Sequence, residues 1–417
     1  MSARYCTVRE SVVNTETRSV VDEPSAPRPH LTWIILVLAL GGFGIGTTEF
    51  VAMGLLPNIA GDLTITESTA SYVISAYALG VVVGAPVIAV LAARVSRRTL
   101  LIALMVAFTA GNALSLIAPS FGMLMAARFV AGLPHGAYFG VAALVAAHVA
   151  GPGRRARAVG QVMLGLSVAN VAGVPVATFI GQHFGWRAAL GLVVVIGVVT
   201  VASLWRVLPS LTDMTTTDPR TELAGLRSTQ IWLTLFVGMI GFGGFFAFYT
   251  FLNSALTSIG GLGESAVPIA LMLFGLGMVT GNIVGGRLAD RYGDIAIGIG
   301  LAGAAVTLLL FAATVSTGWP AVVVAFGVGM TGSSAIPGLQ TRLMDVSHDA
   351  QTIAAALNHS ALNVANALGA WIGGVVVAAG YGYRAPSLVG AAFGVAGLVV
   401  LVIAVVSARR DAVGPRR

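Results

Sequence analysis

This sequence lacks the features of most soluble enzymes. It contains no lysine, one cysteine (Cys6) and only 9% charged residues, against about 25% in soluble proteins. A single cysteine excludes an internal disulfide framework, and no cysteine or histidine spacing indicates a metal site. The H-E-x-x-H, G-x-S-x-G and Walker sequences are also absent. We therefore expect no catalytic residues, no cofactor and no nucleotide hydrolysis by the chain itself.

Apolar residues make up most of what is present. The sequence is 57% hydrophobic, with a mean hydropathy of +0.91, which is typical of a protein that crosses the membrane many times. Its net charge of +7 comes from arginines, most of which lie in short segments between apolar runs. Arginines in such loops set membrane topology. The expected partners are therefore the lipid bilayer and a small molecule, and no nucleic acid.

Twelve apolar stretches reach the length of about 20 residues that a membrane helix needs. They cover residues 32–56, 70–93, 99–118, 122–149, 157–181, 187–206, 230–255, 267–287, 295–315, 320–343, 353–379 and 386–408. The sequence thus predicts an all-α integral membrane protein. We expect a disordered cytoplasmic tail (1–30), an N-terminal six-helix half (31–206), a cytoplasmic linker (207–229), a C-terminal six-helix half (230–408) and a second cytoplasmic tail (409–417).

The loop arginines predict the orientation in the membrane. With the amino terminus inside, the inner loops carry nearly all of them, and the outer loops carry only Arg187 and Arg384. By the positive-inside rule, both termini are expected in the cytoplasm. We call the end of the bundle that carries Arg187 and Arg384 the outer end, and the opposite one the inner end.

The two halves repeat each other. VANVAG (168–173), followed by Gly185-Trp186-Arg187, corresponds to VANALG (364–369), followed by Gly382-Tyr383-Arg384. Transporters built from parallel six-helix repeats bind substrate between the halves, near the middle of the membrane. We therefore expect two pseudo-symmetric halves that enclose a substrate site.

Small residues recur at four-residue spacing in the second, fifth, eighth and eleventh predicted helices. In the fifth helix the candidate packing residues are Gly165, Gly173, Pro175 and Gly181. Such stripes let helices approach closely. Because these four helices are corresponding members of the two halves, we expect the stripes to pack across the interface between the halves. General helix packing is the alternative.

Glu49 is the only ionisable residue between Leu31 and Ala60. A carboxylate near the centre of a bilayer costs at least about 2.5 kcal/mol, so such residues usually face protein or water and have a function. This position favours a proton carrier. The alternative is a structural carboxyl group that is held neutral by a hydrogen bond between helices.

The segment GRLADRYG (286–293) resembles the loop signature G-x-L-A-D-R-x-G of the major facilitator superfamily. Charged residues at a helix end can form a contact that breaks when two halves move. The resemblance therefore implies a conformational latch formed by Arg94, Gly286, Asp290 and Arg291. In the first-half copy, Ala93 stands in place of the aspartate, which weakens the latch there.

Further motifs are similar to those of drug/proton antiporters. Arg128 and Gly132 match an R-x-x-x-G pattern that is linked to proton transfer in that family, and His135 follows. The fifth helix resembles the glycine-rich antiporter motif, although Val174 separates Gly173 from Pro175. With GTTEFVAMGLLP in the first helix, residues 31 to about 408 resemble the bacterial twelve-spanner drug/proton antiporters, in the branch of arabinose, purine and chloramphenicol exporters. The resemblance implies that Glu49, Arg128 and His135 couple protons to transport. A snorkelling arginine and a core histidine are the alternatives.

Aromatic and amide side chains in the predicted helices suit an amphipathic organic substrate. The candidate binding residues are Thr47, Tyr138, Phe246, Tyr249, Asn253, His359 and Asn363. Together with the resemblance, these residues predict a monomeric transporter of the bacterial cytoplasmic membrane. It is expected to export a small organic compound or drug, such as a chloramphenicol-like one, in exchange for protons, by alternating access. Uptake of a sugar or nucleoside is the alternative. An intramembrane enzyme or sensor is a second one, for which Glu49 and His135 are the only plausible catalytic pair.

Overall fold

The computed structural model describes residues 29–91, 95–151, 155–211, 228–347 and 351–413. Nearly all of the predicted amino-terminal tail and most of the predicted linker lie outside these residues. The helix α1 already begins at Pro29, within the segment that was predicted as a tail.

Twelve helices long and apolar enough to cross a membrane make up the described part of the chain. In the first half they are α1 (Pro29–Gly54), α2 (Glu67–Ala70 and Tyr72–Leu91), α3 (Arg97–Leu116), α4 (Phe121–Ala150), α5 (Arg155–Val168, Ala169–Gly173 and Val174–Phe184) and α6 (Trp186–Val207). In the second half they are α7 (Thr229–Gly241, Gly243–Ser254 and Ala255–Ile259), α8 (Glu264–Ala266 and Val267–Tyr292), α9 (Asp294–Thr314 and Val315–Thr317), α10 (Trp319–Ser347), α11 (Gln351–Val376 and Val377–Tyr381) and α12 (Ala385–Val413). The predicted all-α membrane fold of twelve helices is confirmed.

Equivalent helices pack on each other in the two halves. In the first half, α2 packs on α4, α3 on α4 and α6, and α1 on α5 and α6. In the second half, α8 packs on α10, α9 on α10 and α12, and α7 on α11 and α12. The two halves therefore have the same internal arrangement, as the sequence repeat predicted.

The small-residue stripes lie inside each half, so the prediction that they pack across the interface is wrong. A side chain added at Gly165 of α5 would meet the main chain of α1 at Ala39, and one at Gly84 of α2 would meet the main chain of α4 at Leu133. In the second half, Gly281 of α8 lies in the same way against α10. Close contact between main chains over several turns suits helices that stay together.

Helices of the two halves do pair, but through other faces. The α2 helix packs on α11, and α5 packs on α8. At these crossings Gly374 of α11 lies against Ser71, and Gly275 of α8 lies against the main chain of Asn170. The sequence therefore identified the helices at the interface correctly and the packing faces wrongly.

Gly173→Leu is expected to separate α5 from α1. An ideal Cβ atom at this position would lie 3.0 Å from Cε2 of Phe43 and would collide with the hydroxyl group of Thr47. Overpacking of this kind typically costs about 1–3 kcal/mol. We expect the variant to lose transport and to melt at a lower temperature in a thermal-shift assay in detergent. Val176→Leu is the control because Val176, on the same helix, is 52% exposed. Equal effects of the two substitutions would contradict the packing role of Gly173.

At the outer end, hydrogen bonds join the two halves. Asn253 Nδ2 donates to the Gly54 carbonyl oxygen (2.6 Å), Ser71 to that of Ala370 (3.2 Å), Ser75 to that of Ala367 (3.1 Å) and Gln182 to that of Glu264 (3.0 Å). In addition, the Ser254 hydroxyl group donates to the carboxylate of Glu67. We call these five contacts the outer closure. They hold the halves together at this end of the bundle.

Three connecting segments of the first half meet at Asp62, which ends the short helix Leu56–Asp62. Its carboxylate accepts hydrogen bonds from Trp186 Nε1 (2.9 Å) and from Arg187, whose guanidinium group also donates to the Ala118 carbonyl oxygen (3.0 Å). The hydrogen bonds from Arg187 and Trp186 lower the pKa of Asp62. This residue therefore ties the start of α6 to the segments that follow α1 and α3.

Asp62→Asn is expected to lower the melting temperature at neutral pH and to have little effect in acid. Because the pKa of Asp62 is lower in the folded protein than its unfolded value of about 3.9, its ionised form stabilises the fold above that value. This stabilisation is lost as the pH falls through the folded pKa. Melting curves from pH 7 to pH 3 should show the difference between wild type and variant shrinking below about pH 4. A constant difference over this range would contradict the role of the carboxylate.

Candidate functional site

Arg128 is almost completely buried in α4, with 1% of its surface exposed. Its Nη1 donates to the hydroxyl group of Thr48 and its Nη2 to the Thr48 carbonyl oxygen, both at 2.9 Å. The guanidinium carbon also lies 4.5 Å from the ring centre of Tyr77 in α2, a cation–π contact. The arginine thus binds the residue next to Glu49 and does not snorkel to the membrane surface.

Glu49 is 5% exposed and lies at the boundary between the halves. Thr48, the residue before Glu49, donates a hydrogen bond from its hydroxyl group to Oδ1 of Asn112 in α3 (2.5 Å). Because it also accepts from Arg128, Thr48 is held between α3 and α4. Asn366 of α11 lies beside the carboxyl group, although neither of its amide atoms makes a hydrogen bond of good geometry. A carboxyl group of the first half therefore faces an unsatisfied amide of the second half.

The polar contacts continue from Arg128 to the second half through His135. The Tyr77 hydroxyl group lies 3.1 Å from Nδ1 of His135, and the ring centres of His135 and His359 are 6.5 Å apart. His359 of α11 also stacks on Phe139, with ring centres 5.5 Å apart. We call Thr48, Glu49, Tyr77, Arg128 and His135 the polar cluster. It brings together the three residues predicted for proton coupling, whose role itself remains a prediction.

Aromatic rings cover the outer side of Glu49. Phe50 stacks on Phe246 of α7 with ring centres 6.5 Å apart and lies 5.4 Å from the ring centre of Tyr249. Tyr249 in turn packs on Phe274 of α8 at 4.4 Å. Phe246 and Tyr249, two of the predicted substrate-binding residues, therefore lie directly next to the polar cluster.

Three other predicted substrate-binding residues are engaged in contacts within the helical bundle. Thr47 Oγ1 donates to the Phe43 carbonyl oxygen (2.8 Å), and the Tyr138 hydroxyl group donates to that of Leu38 (2.9 Å). The amide of Asn253 belongs to the outer closure. In this conformation these side chains hold helices in place, and their role towards a substrate remains a prediction.

The α11 helix presents several buried amides whose hydrogen-bonding capacity is unused. Asn363 Nδ2 donates to the His359 carbonyl oxygen (3.0 Å), but its Oδ1 has no partner. Oδ1 of Asn358 and both amide atoms of Asn366 also lack partners. Buried polar groups are normally satisfied, so these atoms are candidates for binding a ligand or water.

Sequence reasoning missed several members of this site. Tyr77 lies among small apolar residues and Asn112 in an otherwise ordinary membrane helix, so neither stood out. Asn366 is one of several amides of the eleventh predicted helix, and only the structure places it beside Glu49. Their relation to Glu49 depends on how α2, α3 and α11 pack around α1.

A cavity of about 860 Å³ lies beside α1 and α5 in the inner half of the bundle. Its walls are mainly apolar, with residues such as Leu36, Phe43 and Leu164, and Thr32 and Gln161 are its polar lining residues. The lining residues belong to α1, α4 and α5 of the first half, and the cavity lies at the opposite end of the bundle from the outer closure. The volume suits a small organic molecule.

The predicted latch is not assembled in the described part of the chain. Arg94 lies outside the described residues. Gly286 is partly buried, Asp290 and Arg291 are exposed, and Asp290 makes no ion pair with any described residue. A latch function of these residues therefore remains a prediction.

An ion pair at the inner end instead joins Asp294 of α9 to Arg342 of α10. Arg342 is 7% exposed and also donates to the side chains of Thr234 (3.2 Å) and Gln230 (3.1 Å) in α7. Gly293, with φ of 55°, turns the chain directly from α8 into α9, which explains the last glycine of the loop signature. This network connects three helices within the second half, and its members are too far apart in sequence to form a local motif.

Twelve membrane helices in two equivalent halves, with polar side chains buried between them, define a secondary-transporter fold. The family model of the Major Facilitator Superfamily matches residues 38–358 and 251–417. The chain belongs to this superfamily, so it is a multi-pass membrane transporter and not an enzyme.

Relatives cover nearly the whole chain. The chain is 38% identical over 381 residues to the inner membrane transport protein YdhP of Escherichia coli (strain K12), and the match covers 91% of this chain and 97% of that protein. It is 34% identical over 350 residues to a chloramphenicol resistance protein of Streptomyces lividans, covering 80% and 86%. The predicted resemblance to the superfamily, in the branch that includes a chloramphenicol resistance protein, is thereby confirmed.

A solved structure supports the fold. The chain matches the crystal structure of a bacterial homologue of the human lysosomal transporter Spinster with a TM-score of 0.65 at 18% identity. That structure is in an inward-facing and unoccupied conformation. The match covers 91% of this chain and 96% of that one. At this identity the likeness concerns the fold alone.

Proposed function

We propose that this transporter exports a small, uncharged organic compound in exchange for protons, with Glu49 as the proton carrier. The observation that carries the proposal is the position of Glu49: a buried carboxyl group at the boundary of the halves, next to a residue that Arg128 binds with two hydrogen bonds. A buried ionisable group between the halves of a transporter is a functional group by default.

Proton exchange at Glu49 would change the net charge of the polar cluster by one. With the carboxyl group ionised, the charges of Glu49 and Arg128 balance; with it protonated, the buried guanidinium charge is left uncompensated. Uncompensated charges are costly away from water. Binding and release of a proton can therefore favour different arrangements of the two halves, which is what coupling to alternating access requires. His135 and Tyr77 extend the cluster towards α11 and could relay the proton.

The surroundings of the cluster favour a substrate with an apolar ring and several hydrogen-bonding groups. Phe50, Phe246 and Tyr249 form an aromatic wall, and the unsatisfied amides of Asn363 and Asn366 lie on the facing helix α11. Of the basic side chains here, Arg128 is already occupied by Thr48 and Tyr77. The site therefore suits a neutral compound better than a phosphate or dicarboxylate. The relative named for chloramphenicol resistance makes chloramphenicol a suitable first test compound.

We further propose that the protein works as a monomer in the cytoplasmic membrane of a bacterium, with both termini in the cytoplasm. The arginine distribution supports this orientation, and the name of the relative YdhP supports the location. Its partners would be protons, the substrate and the lipid bilayer.

The test uses protein reconstituted into liposomes that contain a pH-sensitive dye. Radiolabelled chloramphenicol, arabinose and a nucleoside are offered separately, with and without an imposed pH gradient. We expect one compound to move against its gradient only when protons move in the opposite direction. Substrate flux that neither moves protons nor responds to the pH gradient would overturn the proposal of antiport. Protons and substrate that move in the same direction would instead support the alternative of proton-coupled sugar or nucleoside uptake.

A further inference from the structure

Hydrogen bonds of the outer closure differ in their acceptors. Asn253, Ser71, Ser75 and Gln182 all donate to main-chain carbonyl oxygens. Only the contact from Ser254 ends on a charged side chain, the carboxylate of Glu67. Hydrogen bonds to charged groups are about twice as strong as those between neutral groups. Of the five contacts, this one is therefore expected to contribute most.

Glu67 lies at the start of α2, in the first half, and meets two separate elements of the second half. Ser254, in α7, is 1% exposed and follows Asn253, which binds the end of α1. Tyr383, in the connection between α11 and α12, lies beside Glu67, and burial together with this carboxylate raises the pKa of Tyr383 to about 12. The phenol is therefore a hydrogen-bond donor at neutral pH. One carboxylate at the start of α2 thus faces two elements of the second half: the outer part of α7, and the connection between α11 and α12.

These contacts can exist only while the halves touch at the outer end. When the halves separate there, Glu67 loses the hydrogen bond from Ser254 and the contact with Tyr383, and is hydrated instead. Because water replaces most of the lost hydrogen-bond energy, the net preference for the closed form is modest. A modest preference is what a transporter needs, since both conformations must be populated for turnover.

We propose that Glu67 is a positioning residue of the transport cycle, which sets the balance between closed and open forms of the outer end through Ser254 and Tyr383. The proposal rests on alternating access, as in the proposed function, but on neither proton coupling nor a particular substrate. It assigns a function to a carboxylate that lies outside the polar cluster.

The first test measures the distance between the halves at the outer end. Spin labels are placed at Gly122→Cys in the first half and Ser316→Cys in the second, in a Cys6→Ser background. Both positions are exposed, and no atom lies within 4 Å of a side chain added at Gly122. Double electron–electron resonance on purified protein, without substrate or pH gradient, reports the closed and open populations.

We expect Glu67→Ala to raise the ratio of open to closed forms by about tenfold, because a hydrogen bond to a charged group is worth about 1.5–3 kcal/mol. Ser254→Ala and Tyr383→Phe should each shift it in the same direction by less. Asp345→Ala, which removes an exposed carboxylate of α10 at the inner end, is the matched control and should leave the distances unchanged. Unchanged distances in Glu67→Ala and Ser254→Ala would overturn the proposal. If Glu67→Ala does not fold, the two milder variants decide the question.

A second measurement separates a shift in conformation from general damage. A smaller closed population lowers the apparent affinity for substrate at the inner face and raises it at the outer face. We therefore expect Glu67→Ala to raise the KM in inverted vesicles and to lower it in right-side-out vesicles. Equal changes in both would contradict a positioning role. Because the distance measurement needs neither protons nor substrate, its outcome stands even if proton antiport is disproved.

Discussion

Glu49→Gln is expected to abolish uphill export while leaving the protein folded. Glutamine keeps the size of the side chain and a polar group that faces the amide of Asn366, but it cannot ionise. The polar cluster then keeps the same charge throughout the cycle, so proton movement no longer biases the halves. In proteoliposomes with an imposed pH gradient, the accumulation ratio should fall to about one, while exchange of labelled for unlabelled substrate continues.

Two further measurements make this result specific. Substrate binding to the wild-type protein should depend on pH, and binding to Glu49→Gln should not, because the titrating group is gone. Asp345→Asn removes a carboxyl group that is exposed at the inner end of α10, and it should behave like the wild type. If Glu49→Gln retained uphill export, another group would have to carry the proton. His135 would be the first candidate, since it is the next ionisable member of the polar cluster.

Arg128→Lys is expected to lower the maximal transport rate at least about tenfold although the charge is conserved. The guanidinium group donates to both the hydroxyl and the carbonyl oxygen of Thr48 and stacks on Tyr77 at the same time. The compact ammonium group of lysine cannot satisfy all three contacts. The loss of one charged hydrogen bond, about 1.5–3 kcal/mol, corresponds to at least a tenfold change in rate if it is felt in the rate-limiting step.

Arg206→Lys provides the control for this substitution. Arg206 is an exposed residue near the end of α6, and its replacement should leave the rate unchanged. Thermal-shift measurements would show whether Arg128→Lys is folded under the assay conditions. A folded Arg128→Lys protein with the wild-type rate would show that the charge alone matters, and that the two hydrogen bonds to Thr48 do not.

The fold was predictable because membrane helices are specified locally. Each span needs about 20 apolar residues in sequence, and the bilayer rather than distant contacts determines this requirement. The helix ends were less accurate. The first helix ends at Gly54, whereas the apolar run continues to 56, because Leu55 leaves the helix and a separate short helix follows. In the same way α2 begins at Glu67, before the apolar run, with Thr66 as its cap.

The candidate site was only partly predictable. Glu49, Arg128 and His135 stood out because ionisable groups are costly within apolar runs. Tyr77 and Asn112 did not, because a tyrosine or an asparagine in a membrane helix has many possible neighbours. Glu67 resembled an ordinary polar residue at a helix start until its contacts with Ser254 and Tyr383 were seen.

The sequence by itself determined the number of helices, the internal repeat, the superfamily and the intramembrane position of Glu49. These features follow from hydropathy, from internal similarity and from the cost of charge in lipid, all of which are properties of short segments. Tertiary structure decided which faces the helices use. It placed the glycine stripes inside the halves, the ion pair of the inner end at Asp294 and Arg342, and the charged contact of the outer closure at Glu67. Each of these involves partners from different helices, and no local pattern specifies how helices are rotated and paired.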